Sequence, residues 1–336
     1  MLGKQSIQFQ KKPYIISSAS IVGSKEAQGP MGELFDKVGY DDSFGAGNWE
    51  EAESRLQKEA LEIAISKAGL TRQDIQMVFA GDLLGQSIAS SFGLAGYQLP
   101  HVGLYGACST CGLSLTMGGA LVSAGIAEKA ACITSSHFAS AEKEFRFPLS
   151  YGNQRPKSAT WTVTGSGAFV VSSQPGKQTR AVMEGVTVGK IVDYGVKDSM
   201  NMGACMAPAA CDTIYQNFMD FNCMPEEYDK IITGDLGYIG HDILLDLLKD
   251  KGFDISSQHM DCGIEIYDQK TQDTHNGGSG CGCAAVTLCS YIIRQLEKGA
   301  WKKILFIPTG ALLSKTSFNE GRTVPGIAHA VILEHC

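Results

Sequence analysis

The sequence predicts a duplicated α/β protein, two similar halves with sheets packed around central helices. Three pairs of segments carry this, and they recur in the same order. Met77–Leu83 (MVFAGDL) and Lys230–Leu236 (KIITGDL) both read as apolar strands ending in Gly-Asp-Leu. Gly106–Cys111 (GACSTC) opens a Gly/Ser/Leu helix ending near Gly125, followed by a strand at Lys129–Ser136. Ser279–Cys283 (SGCGC) opens a helix at Ala284–Lys298, stopped by Gly299 and followed by a strand at Lys303–Gly310. Gly165–Val171 and Gly326–Leu333 are Gly-initiated strands that close each half. Continuous apolar runs of this kind belong to sheets covered on both faces. Repeats of about 150–170 residues are too long for solenoid units, so they indicate a duplicated fold.

The boundary is expected in the loop-forming cluster Gln174–Thr179, which gives halves of 1–175 and 176–336. A surface-like insert from Gly23 to Asn48 carries seven glycines or prolines and precedes a helix at Trp49–Ala68. The composition suits a heavily buried protein: 336 residues, 44% hydrophobic, 19% charged and 39 glycines. The net charge of -7, with no Lys/Arg block, speaks against a nucleic-acid partner. Eleven irregularly spaced cysteines, several inside apolar runs (Cys132, Cys289), read as reduced core thiols.

The first 20 residues have lysines but no apolar stretch, so no signal peptide is expected there. From Leu83 to Ala127 there is no Asp, Glu, Lys or Arg. Its uniform helical part, about residues 112–126, is too short and Gly-rich to cross a bilayer and reads as a helix enclosed by protein.

Cys108 is the first candidate for chemistry. It stands between a strand-like run and the enclosed helix, where the dipole favours a thiolate and backbone N–H groups favour an anion. That position serves a nucleophile or a bound carboxylate equally, and it also suits a plain core cysteine at a tight turn. His137 follows the strand Ala131–Ser136 and is either a donor to a carboxylate or a surface loop residue. Asp82 and Asp235 end the two related strands. They orient a histidine, hold a cation such as calcium, or cap the next helices. His329 faces either core or pocket. Cys108-x-x-Cys111 would sit within one turn of a buried helix and Cys281-x-Cys283 lacks the C-x2-C spacing of a zinc ribbon, so no metal site is expected from them.

Ala107–Thr110 with the following Gly/Ala helix resembles the nucleophile segment of thiolases and β-ketoacyl synthases, and Gly165–Ala168 resembles the close of their first half. The likeness spans nearly the whole chain and implies a five-layered αβαβα thiolase-like fold and a homodimer. Gly45–Ser54 (GAGNWEEAES), Gly106–Gly112 (GACSTCG) and Tyr151–Pro156 (YGNQRP) with Thr160–Thr162 (TWT) more closely resemble the AD family of stage V sporulation proteins. That resemblance implies binding of dipicolinic acid, pyridine-2,6-dicarboxylate, together with calcium. It implies a place at the spore inner membrane with the membrane subunits of the stage V A system.

The departures from the enzymes point the same way. Condensing enzymes of this superfamily use a Cys-His-Asn set. Where the histidine would stand, the sequence reads Thr233-Gly-Asp235, and an ionised aspartate cannot donate to an oxyanion. Gly278–Gly282 has no asparagine, although Asn276 is close. No Gly-His-Pro segment occurs, although Cys281 or Cys283 could stand in for a thiolase's second thiol. The Trp/Arg segment that holds coenzyme A in related synthases is not recognisable near the N-terminus. The resulting expectation is a non-catalytic binding pocket lined by Cys108, His137, Asp82, Asp235, Ser279 and Cys281. Leu83 or Met117 is expected over the ligand ring. An active acyltransferase using Cys108 and a structural scaffold for a membrane complex are the alternatives.

Overall fold

The apolar runs become strands because both faces of each are covered. A computed structural model describes residues 1–145, 155–177 and 179–336. Five strands lie in the order His101–Gly103, Met77–Gly81, Lys129–Ser136, Gly165–Ser172, Tyr14–Val22. Five more repeat that order: His259–Asp261, Lys230–Thr233, Lys303–Ile307, Ala330–Glu334, Ala181–Thr187. In each set the first three strands are parallel and the last two antiparallel to their neighbours.

Alternate side chains show the layering. Val78, Ala80 and Ile133 pack with the Trp49–Lys67 helix residues Leu56, Ala60 and Ala64. Ile231, Leu305 and Ile332 pack with Met206, Ala210 and Ile214 of the Met202–Phe221 helix. The intervening residues Phe79, Cys132, Ile232 and Phe306 all turn to one shared central cluster. This period of two on strands buried from both sides gives five layers, helix-sheet-helix-sheet-helix.

The Thr110–Ser123 helix fills the middle layer with the Cys281–Thr287 helix, which runs on through a π-helical turn at Leu288–Ile292 to Ile293–Glu297. A Cβ on Gly118 would clash with Cys132 Sγ of one sheet, and a Cβ on Gly119 would stand 2.6 Å from Met183 Cε of the other. Small residues therefore let this helix touch both sheets.

Four expectations are corrected. The two sheets are one 12-stranded sheet, because Tyr14 and Ile15 pair with Val182 and Ala181 where a bulge bends the Tyr14–Val22 strand. The Lys303–Gly310 run breaks at Pro308, which has no N–H for the ladder. The Gly326–Leu333 run breaks opposite it, at His329, whose N–H donates to the Pro308 carbonyl at 3.3 Å. The pieces Thr309–Ala311 and Gly326–Ala328 pair in a small sheet of their own. The helix expected to open at Ala284 begins at Cys281. The Gln174–Thr179 cluster falls between the strands ending at Ser172 and starting at Ala181.

Candidate functional site

Cys108 lies at the N-terminal end of the first central helix, just after Ala107, whose φ of 50° makes the turn. The cysteine is 7% exposed and packs with Leu83, Ala141 and Cys281. The backbone at Gly310 closes on it so tightly that a Cβ there would stand 2.9 Å from Ser109 N and 3.3 Å from Cys108 N. The expected low-pKa thiolate is not what this setting favours. Burial pushes the Cys108 thiol well above its usual range, and the charge of the nearby Asp235 carboxylate pushes it further. Desolvation and a neighbouring anion outweigh the end of a helix dipole.

Asp235 is 1% exposed and fully engaged. Its Oδ2 accepts the Gly280 N–H at 2.9 Å and its Oδ1 the Thr309 hydroxyl at 2.7 Å. Burial pushes its carboxyl up to about 7, against the pull of these bonds. Gly280 is required here, because its φ of 108° is open to glycine alone. Duplication thus carries Asp235 from one half to the cysteine of the other.

Asp82, at the equivalent strand end, does not mirror it. Its oxygens accept the N–H groups of Leu84 and Ser90 at 2.9 Å and the Ser90 hydroxyl at 2.6 Å. It ties down its own loop and the first turn of the Ile88–Leu94 helix, without standing at that helix's N-cap. Beneath lies a network that the sequence reading missed. Glu53 accepts the hydroxyls of Ser135 and Ser140 at 2.8 and 2.7 Å, and Gln57 donates to Gly81 O, Ser90 and Ser135. Burial, with the charge of Asp82, pushes Glu53 up to about 8.

His137 offers no free donor. Its Nε2 donates to the Asp42 carbonyl at 2.7 Å, its Nδ1 accepts the Ala139 N–H at 3.1 Å, and Trp49 packs on it at 5.5 Å. These partners fix the neutral tautomer, and burial holds its pKa low. Cys281 donates to the Ser135 carbonyl at 2.8 Å beside Cys108, whereas Cys283 points to Gly234 O at 3.5 Å. The Ser279 hydroxyl accepts from Thr160 at 2.9 Å. Asn276 holds the start of the Gly237–Asp250 helix, accepting the Ile239 N–H at 2.9 Å. His329 accepts the Gly189 N–H at 3.2 Å, and burial lowers its pKa to about 4. Among the described residues no three His, Cys, Asp or Glu side chains are grouped as metal donors, and Cys111 sits buried inside the central helix. Of the motif Tyr151–Pro156, residues 151–154 lie outside the described residues.

The sequence model of "Stage V sporulation protein AD" matches residues 3–334. The chain is 42% identical to stage V sporulation protein AD of Bacillus subtilis, over 99% of this chain and 98% of that one. The chain belongs to the stage V sporulation protein AD family.

Members of two enzyme groups share this family member's fold. The 3-oxoacyl-[acyl-carrier-protein] synthase III of Aquifex aeolicus is 12% identical, with a TM-score of 0.56 over 96% of this chain and 99% of that one. Human mitochondrial 3-ketoacyl-CoA thiolase is 11% identical, with a TM-score of 0.57 over 98% and 99%. OleA of Xanthomonas campestris, bound to cerulenin, is 11% identical, with a TM-score of 0.61 over 97% and 98%. At these identities the likeness shows the fold, a five-layered thiolase-like one. In this member of the sporulation family the cysteine at the head of the central helix faces a carboxylate. Tyr105, half exposed beside Cys108 and Cys281, is a rim residue that the sequence reading also missed. Burial first, then those thiols, push its phenol up to about 12.

Proposed function

We propose that this chain is a non-catalytic binding protein for pyridine-2,6-dicarboxylate in stage V of sporulation, and that it takes the ligand as its calcium chelate. The observation that carries the reading is the Cys108–Asp235 pair. A nucleophilic cysteine needs a base or a cation that stabilises its thiolate. Here burial, and then the charge of a neighbouring acid, favours the protonated thiol. An ionised Asp235 also repels a free dianion, whereas calcium neutralises the ligand's charge before it arrives. Leu83 packs beside Cys108, and in this reading it covers the ring.

No described helix is long and apolar enough to cross a membrane. In this reading the membrane subunits of the same system hold the protein at the spore inner membrane. Phe92, Tyr105 and Ile126 are exposed in the uncharged 83–127 segment and suit a homodimer contact. Calorimetric titration with dipicolinate, with and without calcium, tests the binding. Saturable heat near one ligand per chain supports it, and no heat in either condition removes it.

A second reading has one observation in its favour: the cysteine remains at the head of the central helix in a fold shared with condensing enzymes. An active acyltransferase would leave an acyl group on Cys108 after incubation with an acyl thioester, seen as added mass on that peptide. A scaffold for the membrane complex would bind neither compound.

A further inference from the structure

The duplication lets one corner of the molecule be compared with its own copy. Counted back from the shared Gly-Asp-Leu strand ends, Lys58, Glu62 and Ile65 correspond to Cys211, Tyr215 and Phe218. The backbones keep the same register. Gly69 and its counterpart Asn222 both turn left-handed after their helices, with φ of 68° and 51°. A single helical turn follows each, at Arg72–Asp74 and Pro225–Glu227.

In the second half this corner is filled. Phe253, on the loop leading to the His259–Asp261 strand, puts its ring 4.9 Å from Phe218 and 6.0 Å from Tyr215, and Phe218 and Phe253 are buried. In the first half the corner is open. A cavity of about 690 Å³ lies at the end of the Trp49–Lys67 helix, walled by Ile65, Leu70 and Tyr97. Gly96 lines it from the loop leading to the His101–Gly103 strand, and a Cβ added there would meet nothing within 4 Å. The volume falls within the range of small-molecule sites, about 300–1,000 Å³. The filled copy shows that an aromatic ring suits this corner.

The polar lining selects what the ring carries. The Tyr97 hydroxyl donates to the Lys58 carbonyl at 3.1 Å, and Arg72 Nη1 reaches the Gly96 carbonyl at 3.5 Å, so both basic residues border the Tyr97 turn. Among the described residues neither cation is paired with a carboxylate. Glu62 is the one acid in the lining against these two cations. The carbonyls at the helix end are already taken: Ala64, Ser66 and Ile65 accept the N–H groups of Ala68, Gly69 and Leu70 at 3.2, 2.9 and 3.1 Å. An acid group on the ligand supplies the missing partner, and the planar fork of Arg72 suits a carboxylate. A flat ring packs on Tyr97 and Ile65.

We propose that this cavity is a second ligand site, separate from the Cys108 pocket, for an aromatic carboxylate. The ring lies against Tyr97 and the acid group meets Arg72 and Lys58. The site does not rest on the dipicolinate reading.

The test is fluorine NMR of 4-fluorobenzoate titrated with the full chain at low salt, with 4-fluorobenzamide as the neutral comparison. The parent should give saturable broadening with the benzoate. Arg72→Gln in the protein, or the amide in place of the acid, should each weaken binding by about threefold or more, a modest loss because the cations are exposed. Gly96→Phe supplies the ring that the first half lacks and should abolish binding. Gly96→Ala adds only a methyl group and should bind as the parent does, which separates filling of the cavity from a backbone effect. Melting temperatures confirm that each variant is folded. No saturable binding to the parent overturns the site, and so does equal binding to the parent and Gly96→Phe, which would place the probe elsewhere. Calorimetry with pyridine-2,6-dicarboxylate keeps the two readings apart. Heat retained in Gly96→Phe leaves the Cys108 reading standing whatever the benzoate does. Heat lost there would move the dicarboxylate into this cavity, and the Cys108 reading alone would fall.

Discussion

The Asp235 carboxylate of one half stands close enough to the buried Cys108 thiol of the other for its charge to act on it, and both side chains are enclosed. The pair opposes thioester chemistry from both sides. The acid raises the thiol's pKa, and the acid's acceptor bonds leave nothing aimed at an oxyanion while it is ionised.

The first prediction concerns reactivity. Cys108 should alkylate slowly with iodoacetamide at pH 7.5, while the exposed Cys336 serves as the fast internal reference. Asp235→Asn removes the neighbouring charge and should speed labelling of Cys108 several-fold, read by peptide mass. Burial is the larger cause, so the rate should stay below that of Cys336. Labelling of parent Cys108 as fast as Cys336 would mean that the thiol is not held protonated.

The second concerns ligand binding and pH. Asp235 titrates near 7, so above that pH it carries a full charge against a free dianion. Affinity for calcium-free dipicolinate should rise as pH falls from 8 to 6, by at most about tenfold per unit for one coupled proton. Asp235→Asn should bind more tightly at pH 8 and lose this slope. Titrations at pH 6, 7 and 8 decide it, and a slope retained in the variant would assign the proton to another group.

Much of this was legible in the chain, and the reasons for the remainder are physical. The repeated Gly-Asp-Leu strand ends gave the duplication, and they set Asp82 and Asp235 at equivalent places. What each aspartate does depends on contacts no spacing encodes: Asp82 meets Ser90, eight residues on, while Asp235 meets Gly280, 45 residues on. His137 was a fair pocket candidate because its partner is a backbone carbonyl 95 residues away, invisible in side-chain patterns. The Cys108 pKa was misjudged because the dipole is read from local sequence and desolvation is not. Glu53 and Gln57 did leave a signal. They share a helical stripe with Ala60 and Ala64, all buried, and polar residues on a core face point to a buried network.

The third prediction follows from the fixed tautomer of His137. His137→Ala should cost about 1–3 kcal/mol by leaving the Asp42 carbonyl unpaired and removing the Trp49 contact. The loop around Asp42 should then be cut faster in limited proteolysis. Dipicolinate affinity, measured at a temperature where the variant is folded, should change by less than about threefold, because the ring supplies no free donor. A large affinity loss with unchanged stability would restore the histidine to the pocket.

The fourth concerns stability and pH, and the sign is the reverse of an ordinary ion-paired carboxylate. Glu53, Glu26 and Asp235 have folded pKa values pushed up, mainly by burial, to about 8, 7 and 7. Between their ordinary values near 4 and these raised ones, the native state binds more protons than the unfolded chain, so stability falls as pH rises. The decline should run from about pH 4 to about pH 8 and then level off for these groups. Glu53→Gln keeps one oxygen to accept from Ser135, turns its NH2 toward the Ser140 oxygen, whose hydroxyl can donate to the His137 carbonyl at 3.1 Å, and removes the charge that burial penalises. The variant should therefore melt higher than the parent at pH 8 and close to it at pH 5. Thermal melts at the two pH values compare them directly. A parent that melts higher at pH 8 than at pH 5 would show that these carboxyls are ionised at little cost, and the acidic character assigned to the buried network would have to be withdrawn.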